Sequence, residues 1–227
     1  MASLAITAIS DPVCPFCYLG LIRLNRAIEL YRKTVPGASA TPITIAWHAF
    51  QLDPAAPRRV SQPLAAKMAS RWGADRVPEI QGKLRDAGLR GGVQFNFNSR
   101  IGNTIEAHRL AALARRMDPR GEEGLQHKVS QETMQMYFEG GGDITSMDDL
   151  VGAASRAGID AEEARAWLES DQGLEEVQLE VDEAVSMGVR GVPRFIINDK
   201  FVVEGADDVG VFLEQLVLAS QDALGGK

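Results

Sequence analysis

Cysteine is scarce in this chain, at two residues of 227, and histidine nearly so, at three. A structural zinc needs about four ligands. No second cysteine pair is present, and His48, His108 and His127 are scattered with no HxxxH spacing, so the donors for a metal site are missing. Basic residues are also too few for a nucleic-acid footprint: 24 Lys and Arg stand against 31 Asp and Glu, a net charge of −7 without a basic stretch. No run approaches the roughly 20 apolar residues of a membrane span. The first residues, Met1-Ala2-Ser3-Leu4-Ala5-Ile6, lack a basic region, and their apolar run is too short for a secretory signal. A cytoplasmic setting is expected, in which closely spaced thiols stay reduced.

Both cysteines fall in one motif, Cys14-Pro15-Phe16-Cys17. It follows a short apolar run, Leu4 to Ile9, and the turn-prone Ser10-Asp11-Pro12. A helical pattern opens directly behind it and continues to about Thr34. The thiols therefore sit where a strand hands over to a helix N-terminus, where unpaired N–H groups and the helix dipole stabilise a thiolate. Cys14 is expected at the cap, exposed and nucleophilic. Cys17 lies one turn deeper on the same side, within reach of any mixed disulfide held on Cys14. Pro15 suits the first turn, where a missing N–H costs nothing. A structural disulfide here would close too short a loop to gain much, in a chain that needs no staple. Thiol or redox chemistry is what the pair implies.

The rest of the chain reads as a change of grammar and a return. Ile43 to Trp47 is a second strand, and strand, helix, strand makes a βαβ unit with parallel strands. His48, just beyond, reads as a partly buried structural imidazole. Helical patterns then run from about residue 61 to Gly188, with Ser61, Ser146 and Asp160 as expected caps. The acidic residues crowding 162–183 read as a solvated face. Strand grammar returns at Arg194 to Ile197, turns at Asn198-Asp199-Lys200, and runs back through Phe201 to Glu204 as a hairpin. A helix from Asp207 to about Ser220 closes the chain. Residues 1–56 and 188–227 thus flank a helical block, 57–187. Before the hairpin stands Gly191-Val192-Pro193, where a proline at the strand entry leaves neighbouring backbone groups free.

This arrangement resembles a thioredoxin-like α/β fold with a large all-α insertion, the architecture of the DsbA superfamily. It is most similar to the FrnE-like branch of dithiol–disulfide oxidoreductases. The resemblance rests on five segments in order: Ser10 to Gly20, Trp47 to Pro54, Asn103 to Leu110, Tyr137 to Gly140, and Gly188 to Phe195. It implies that Cys14 is the nucleophile, Cys17 the resolving thiol, and Pro193 a cis residue packed beside them. The Val192 backbone would pair with an extended substrate. Asn103 and His108 would lie near the cleft, although capping a helix already accounts for Asn103.

Pro-Phe stands between the cysteines where strongly oxidising DsbA proteins have Pro-His, which favours reduction or isomerisation over oxidation. The expected activity is thiol–disulfide exchange with a disulfide-containing protein or a thiol small molecule. No bound cofactor or metal is needed, and glutathione or another thiol would be co-substrate. No nucleic-acid or membrane partner is expected, and no oligomeric state is implied. A second reading comes from the same superfamily, whose kappa-class glutathione transferases and hydroxychromene-carboxylate isomerases act on small molecules with glutathione. A third, a binding module with vestigial cysteines, predicts an ordinary Cys14 pKa near 8.5.

Overall fold

The computed structural model describes residues 3–225. Strand β1 (Leu4–Ser10) turns Leu4, Ile6 and Ala8 into the core. Helix α1 (Pro15–Thr34) follows, burying Leu21, Leu24, Ile28 and Tyr31, a spacing of three and four that keeps them on one face. Strand β2 (Ile43–Ala49) pairs parallel with β1, as a βαβ crossover requires.

The next segment departs from expectation. Ser61 does not cap a helix. It opens a short strand, β3 (Ser61–Pro63), which pairs antiparallel with β4 (Arg100–Gly102), and its hydroxyl donates to Asp143. Between these strands lie α2 (Leu64–Trp72) and α3 (Val77–Gly91). Then come α4 (Ile105–Met117), α5 (Leu125–Phe138), α6 (Met147–Ala157), α7 (Ala161–Glu169) and α8 (Leu174–Ser186). Ser146 and Asp160 are the N-caps of α6 and α7, their oxygens accepting from Asp149 N and from Glu162 and Glu163 N. Asp149 does not complete a capping box. Its carboxylate accepts instead from the Asp143 amide at 2.7 Å.

Strands β5 (Arg194–Ile197) and β6 (Phe201–Glu204) form the hairpin, with Asn198 and Asp199 at positive φ in its turn. β5 also pairs antiparallel with β1, so the sheet order is β2-β1-β5-β6. Helix α9 (Val209–Gly225) starts later and runs longer than its apolar pattern predicts, seating Phe212 and Leu216 against the sheet.

The helical block docks on the open edge of β2. Gln126 of α5 mimics a strand there: its carbonyl accepts from Trp47 N (3.0 Å) and its amide donates to Trp47 O (2.9 Å). Glu180 of α8 accepts from Ala49 N at 3.0 Å. Backbone groups that would invite another strand are thereby satisfied. Glu180 and Glu176 also bind Arg115, so these two acids join elements rather than merely face solvent. Among the described residues, no helix is long and apolar enough to cross a membrane.

Candidate active site

Cys14 is the N-cap of α1, with extended backbone (φ −84°, ψ 116°), and Pro15 is the first helical residue. Cys17 lies 3.6 Å from Cys14, and both are free thiols. The expected exposure of Cys14 is not found: it is only 5% exposed. The cause is the segment before β5. Its Val192 carbonyl comes within 3.5 Å of Cys14 Sγ and accepts from the thiol. The Val192-Pro193 bond is cis, as the resemblance implied, and Pro193 is buried. Gly20 makes this packing possible, since a Cβ there would come within 2.9 Å of Phe195 and 3.1 Å of Pro193.

The two thiols are driven apart electrostatically. The Cys17 thiol and the backbone N–H groups of Cys17 and Phe16 stabilise the Cys14 thiolate, pulling its pKa below the ordinary value despite burial. Burial, reinforced by the neighbouring thiolate, holds Cys17 well above its ordinary value. Cys14 is therefore the more readily ionised thiol of the pair, and Cys17 the one that holds its proton.

Asp11, read from sequence only as a turn residue, is a buried part of this site. Its carboxyl accepts from Val13 N (3.2 Å) and Leu52 N (2.6 Å), tying the cysteine loop to the loop after β2. Desolvation raises its pKa to about 7, against the partial compensation of those amides. Its negative charge in turn opposes the Cys14 thiolate. Replacing Asp11 with Asn should move the midpoint of Cys14 alkylation to lower pH. Iodoacetamide rates across pH 5–10 would show it, and an unchanged or higher midpoint would contradict the placement.

The remaining candidates lie behind the site. Asn103 is buried: its oxygen accepts from Gln51 Nε2 (2.8 Å) and Ile105 N (2.9 Å), and its amide donates to Ala56 O (2.7 Å). It braces the loop that walls the site and starts α4, without lining the cavity beside Cys14. His108 Nε2 donates to Phe50 O at 3.0 Å, and burial lowers its pKa to about 4, so it is neutral. His127, likewise near 4 through burial, joins Trp47 to Asn25. His48 is half-buried and lines, with His108, a small cavity of about 30 Å³ that does not include Cys14. Neither His48 nor His127 stands among the groups that stabilise the thiolate.

Cys14 opens into a cavity of about 710 Å³ between the sheet-and-α1 core and the helical block. Its walls come from the cysteine loop, residues 52–62, α2, α3 and the Phe95–Phe97 stretch.

Comparison with known proteins agrees with this geometry. A probable DsbA oxidoreductase from Streptomyces coelicolor is 25% identical, with a TM-score of 0.79 over 95% of this chain and 89% of that one. The cytosolic disulfide reductase DsbM from Pseudomonas aeruginosa matches in fold, with a TM-score of 0.60 and 15% identity over 97% of this chain and 100% of that one. A 2-hydroxychromene-2-carboxylate isomerase matches with a TM-score of 0.64 and 16% identity over 96% and 98%. No curated protein sequence matches the chain. The family model for the DSBA-like thioredoxin domain matches residues 5–217. With a strand, N-capping Cys14, Cys17 at 3.6 Å from it and cis Pro193 in the places described, the chain belongs to the DSBA-like thioredoxin domain family, whose members are thiol–disulfide oxidoreductases.

Proposed function

We propose that this protein is a thiol–disulfide oxidoreductase of the FrnE-like branch, working in the reducing or isomerising direction in the cytoplasm. The observation that carries the proposal is the polarised pair, a stabilised Cys14 thiolate with a neutral Cys17 only 3.6 Å away. Cys14 attacks one sulfur of a substrate disulfide, forming a mixed disulfide and expelling the other half as thiolate. Cys17 gives up its proton, attacks Cys14 Sγ and releases the second half. Two electrons pass to the substrate, and a thiol such as glutathione, itself oxidised to a disulfide, restores the pair. The thiolate is held by a thiol and backbone amides, without a histidine, which supports a weaker oxidant than a Pro-His protein. The Val192 backbone beside Cys14 would orient the substrate.

Without Cys17, the mixed disulfide cannot be resolved internally. The Cys17→Ala protein should therefore accumulate an adduct on Cys14, visible by intact mass and released by dithiothreitol. No adduct from cell extract or from added disulfides would overturn the reading.

A second reading is favoured by the size of the cavity: a glutathione-dependent isomerase or transferase acting on a small molecule. It requires steady-state conversion that survives in the Cys17→Ala protein, which the exchange mechanism does not allow.

A further inference from the structure

Large apolar side chains that remain exposed are ordinary when scattered and meaningful when they converge. Phe16, Leu52, Val60 and Trp72 are 51%, 44%, 57% and 42% exposed, and all four stand around the cavity that opens at Cys14. They come from the first turn of α1, the loop after β2, the residue before β3 and the end of α2. Nothing local in the sequence requires four such residues to meet there. Behind them, Met68, Leu84 and Phe95 continue the apolar wall.

The charged groups on this lining are mostly engaged already. Lys67 is paired with Asp53 at 2.7 Å and Lys83 with Glu79 at 2.6 Å, while Asp11 accepts from Val13 and Leu52. Arg71 lies over the Trp72 ring, 5.2 Å from its centroid. The cavity thus offers apolar surface and few polar partners.

We infer that the substrate is a low-molecular-weight disulfide with an apolar body, seated in this cavity with one sulfur at Cys14; this rests on the oxidoreductase reading above. A cavity of about 710 Å³ falls in the range of small-molecule sites, roughly 300–1,000 Å³. An unfolded polypeptide brings a donor and an acceptor with every residue. These walls would strip water from such groups without replacing it. An aromatic or branched aliphatic body loses nothing by entering. In the first half of the exchange the apolar half stays on Cys14 as Cys14–S–S–R, and the other leaves as its thiolate. Cys17 then displaces R–S⁻, the substrate gaining two electrons and the enzyme ending as the Cys14–Cys17 disulfide. A thiol reductant reverses that disulfide.

Alkyl methanethiosulfonates test the inference, because every member of the series expels the same methanesulfinate. In the full-length Cys17→Ala protein, benzyl methanethiosulfonate should react with Cys14 faster than the methyl reagent. After normalisation to the ratio for free dithiothreitol, the preference should be about tenfold, a fraction of what full burial of a ring provides. Trp72→Ala and Val60→Ser change exposed positions that the fold tolerates, and each should lower the ratio toward the free-thiol value. A wild-type ratio equal to that of the free thiol, with Cys14 still reacting rapidly at neutral pH, overturns the inference and leaves the oxidoreductase reading standing. Slowing of the benzyl reaction by reduced, carboxymethylated insulin chains at micromolar concentration would mean a polypeptide occupant and also overturns it. In the native protein, where Cys17 still stabilises the thiolate, Cys14 no more reactive than a free thiol toward either reagent would remove the oxidoreductase reading itself.

Discussion

Replacing Cys14 with Ser is expected to lower disulfide exchange by roughly three orders of magnitude or more in kcat/KM, about 4 kcal/mol of transition-state stabilisation. A serine hydroxyl stays protonated at neutral pH without an adjacent base, and no imidazole stands among the groups that surround Cys14 Sγ to act as one. Cys17 cannot take over. It is fully buried, and desolvation holds its thiol protonated. The Cys14→Ser/Cys17→Ala double variant should therefore be no worse than Cys14→Ser alone, the non-additivity of groups that act as one unit. Cys17→Ala differs in kind: the first attack survives at a changed rate and turnover stops at the mixed disulfide. Single-turnover mixing with a chromogenic disulfide separates the two, because Cys17→Ala releases one equivalent of thiol and Cys14→Ser releases none. Activity of Cys14→Ser within tenfold of the native protein would show that the nucleophile lies elsewhere.

The parts of this site visible in the sequence are those fixed by local rules. An apolar run, a turn and a proline at the first helical position place Cys14 at the start of α1 whatever surrounds it. The alternation in Phe195, Ile197 and Val203, with Asn198-Asp199 between, specifies the hairpin in the same way. What stayed hidden depends on contacts distant in sequence. Cys14 is covered by Val192, 178 residues away. Asp11 reads as a turn former because its local chemistry is that of one. Only the fold brings the Leu52 amide onto its carboxyl and removes that carboxyl from water. β3 and β4 are three residues each, too short for alternation to show, and they exist because residues 61–63 and 100–102 are brought side by side. The cavity is a difference between surfaces and leaves no periodic trace. The exposed Phe16, Leu52, Val60 and Trp72 are a signal that could have been noticed, but each alone is unremarkable.

The largest effect on stability is expected at Glu106, also outside the reach of local pattern. Glu106 and Arg109 sit three apart on α4, a spacing that on a surface helix contributes a few tenths of a kcal/mol. Here Arg109 is fully buried. It donates to the carbonyls of Trp167 (2.7 Å), Leu168 (3.2 Å), Ser170 (2.6 Å) and Gln172 (2.8 Å), gathering the C-terminal end of α7 and the turn beyond it. Its charge is answered by Glu106, which also binds Arg58 and Arg59. Burial alone would raise the Glu106 pKa, yet Arg58 and Arg109 hold it below the ordinary 4.5. Glu106→Gln keeps the shape and leaves Arg109 without a counter-charge in the interior, a loss of about 3–5 kcal/mol. For a chain of this size that is a fall in Tm of roughly 6–20 °C. The pH dependence follows from the depressed carboxylate. Its contribution is complete above the unfolded value near 4.5 and is lost as pH falls through the lower folded value. The gap between native and Glu106→Gln proteins should therefore be wide at pH 7 and narrow on acidification below about pH 4.5. Denaturant unfolding at pH 7 and at steps from about pH 4.5 down to about pH 3 measures both. A gap that stays constant would mean that Glu106 acts through packing rather than charge. Because Arg58 and Arg59 lie between Pro57 and Val60 on the cavity wall, the same carboxylate holds the mouth of the site to the helical block. In this fold, the carboxylate that answers the buried Arg109 also anchors a wall of the cavity beside Cys14.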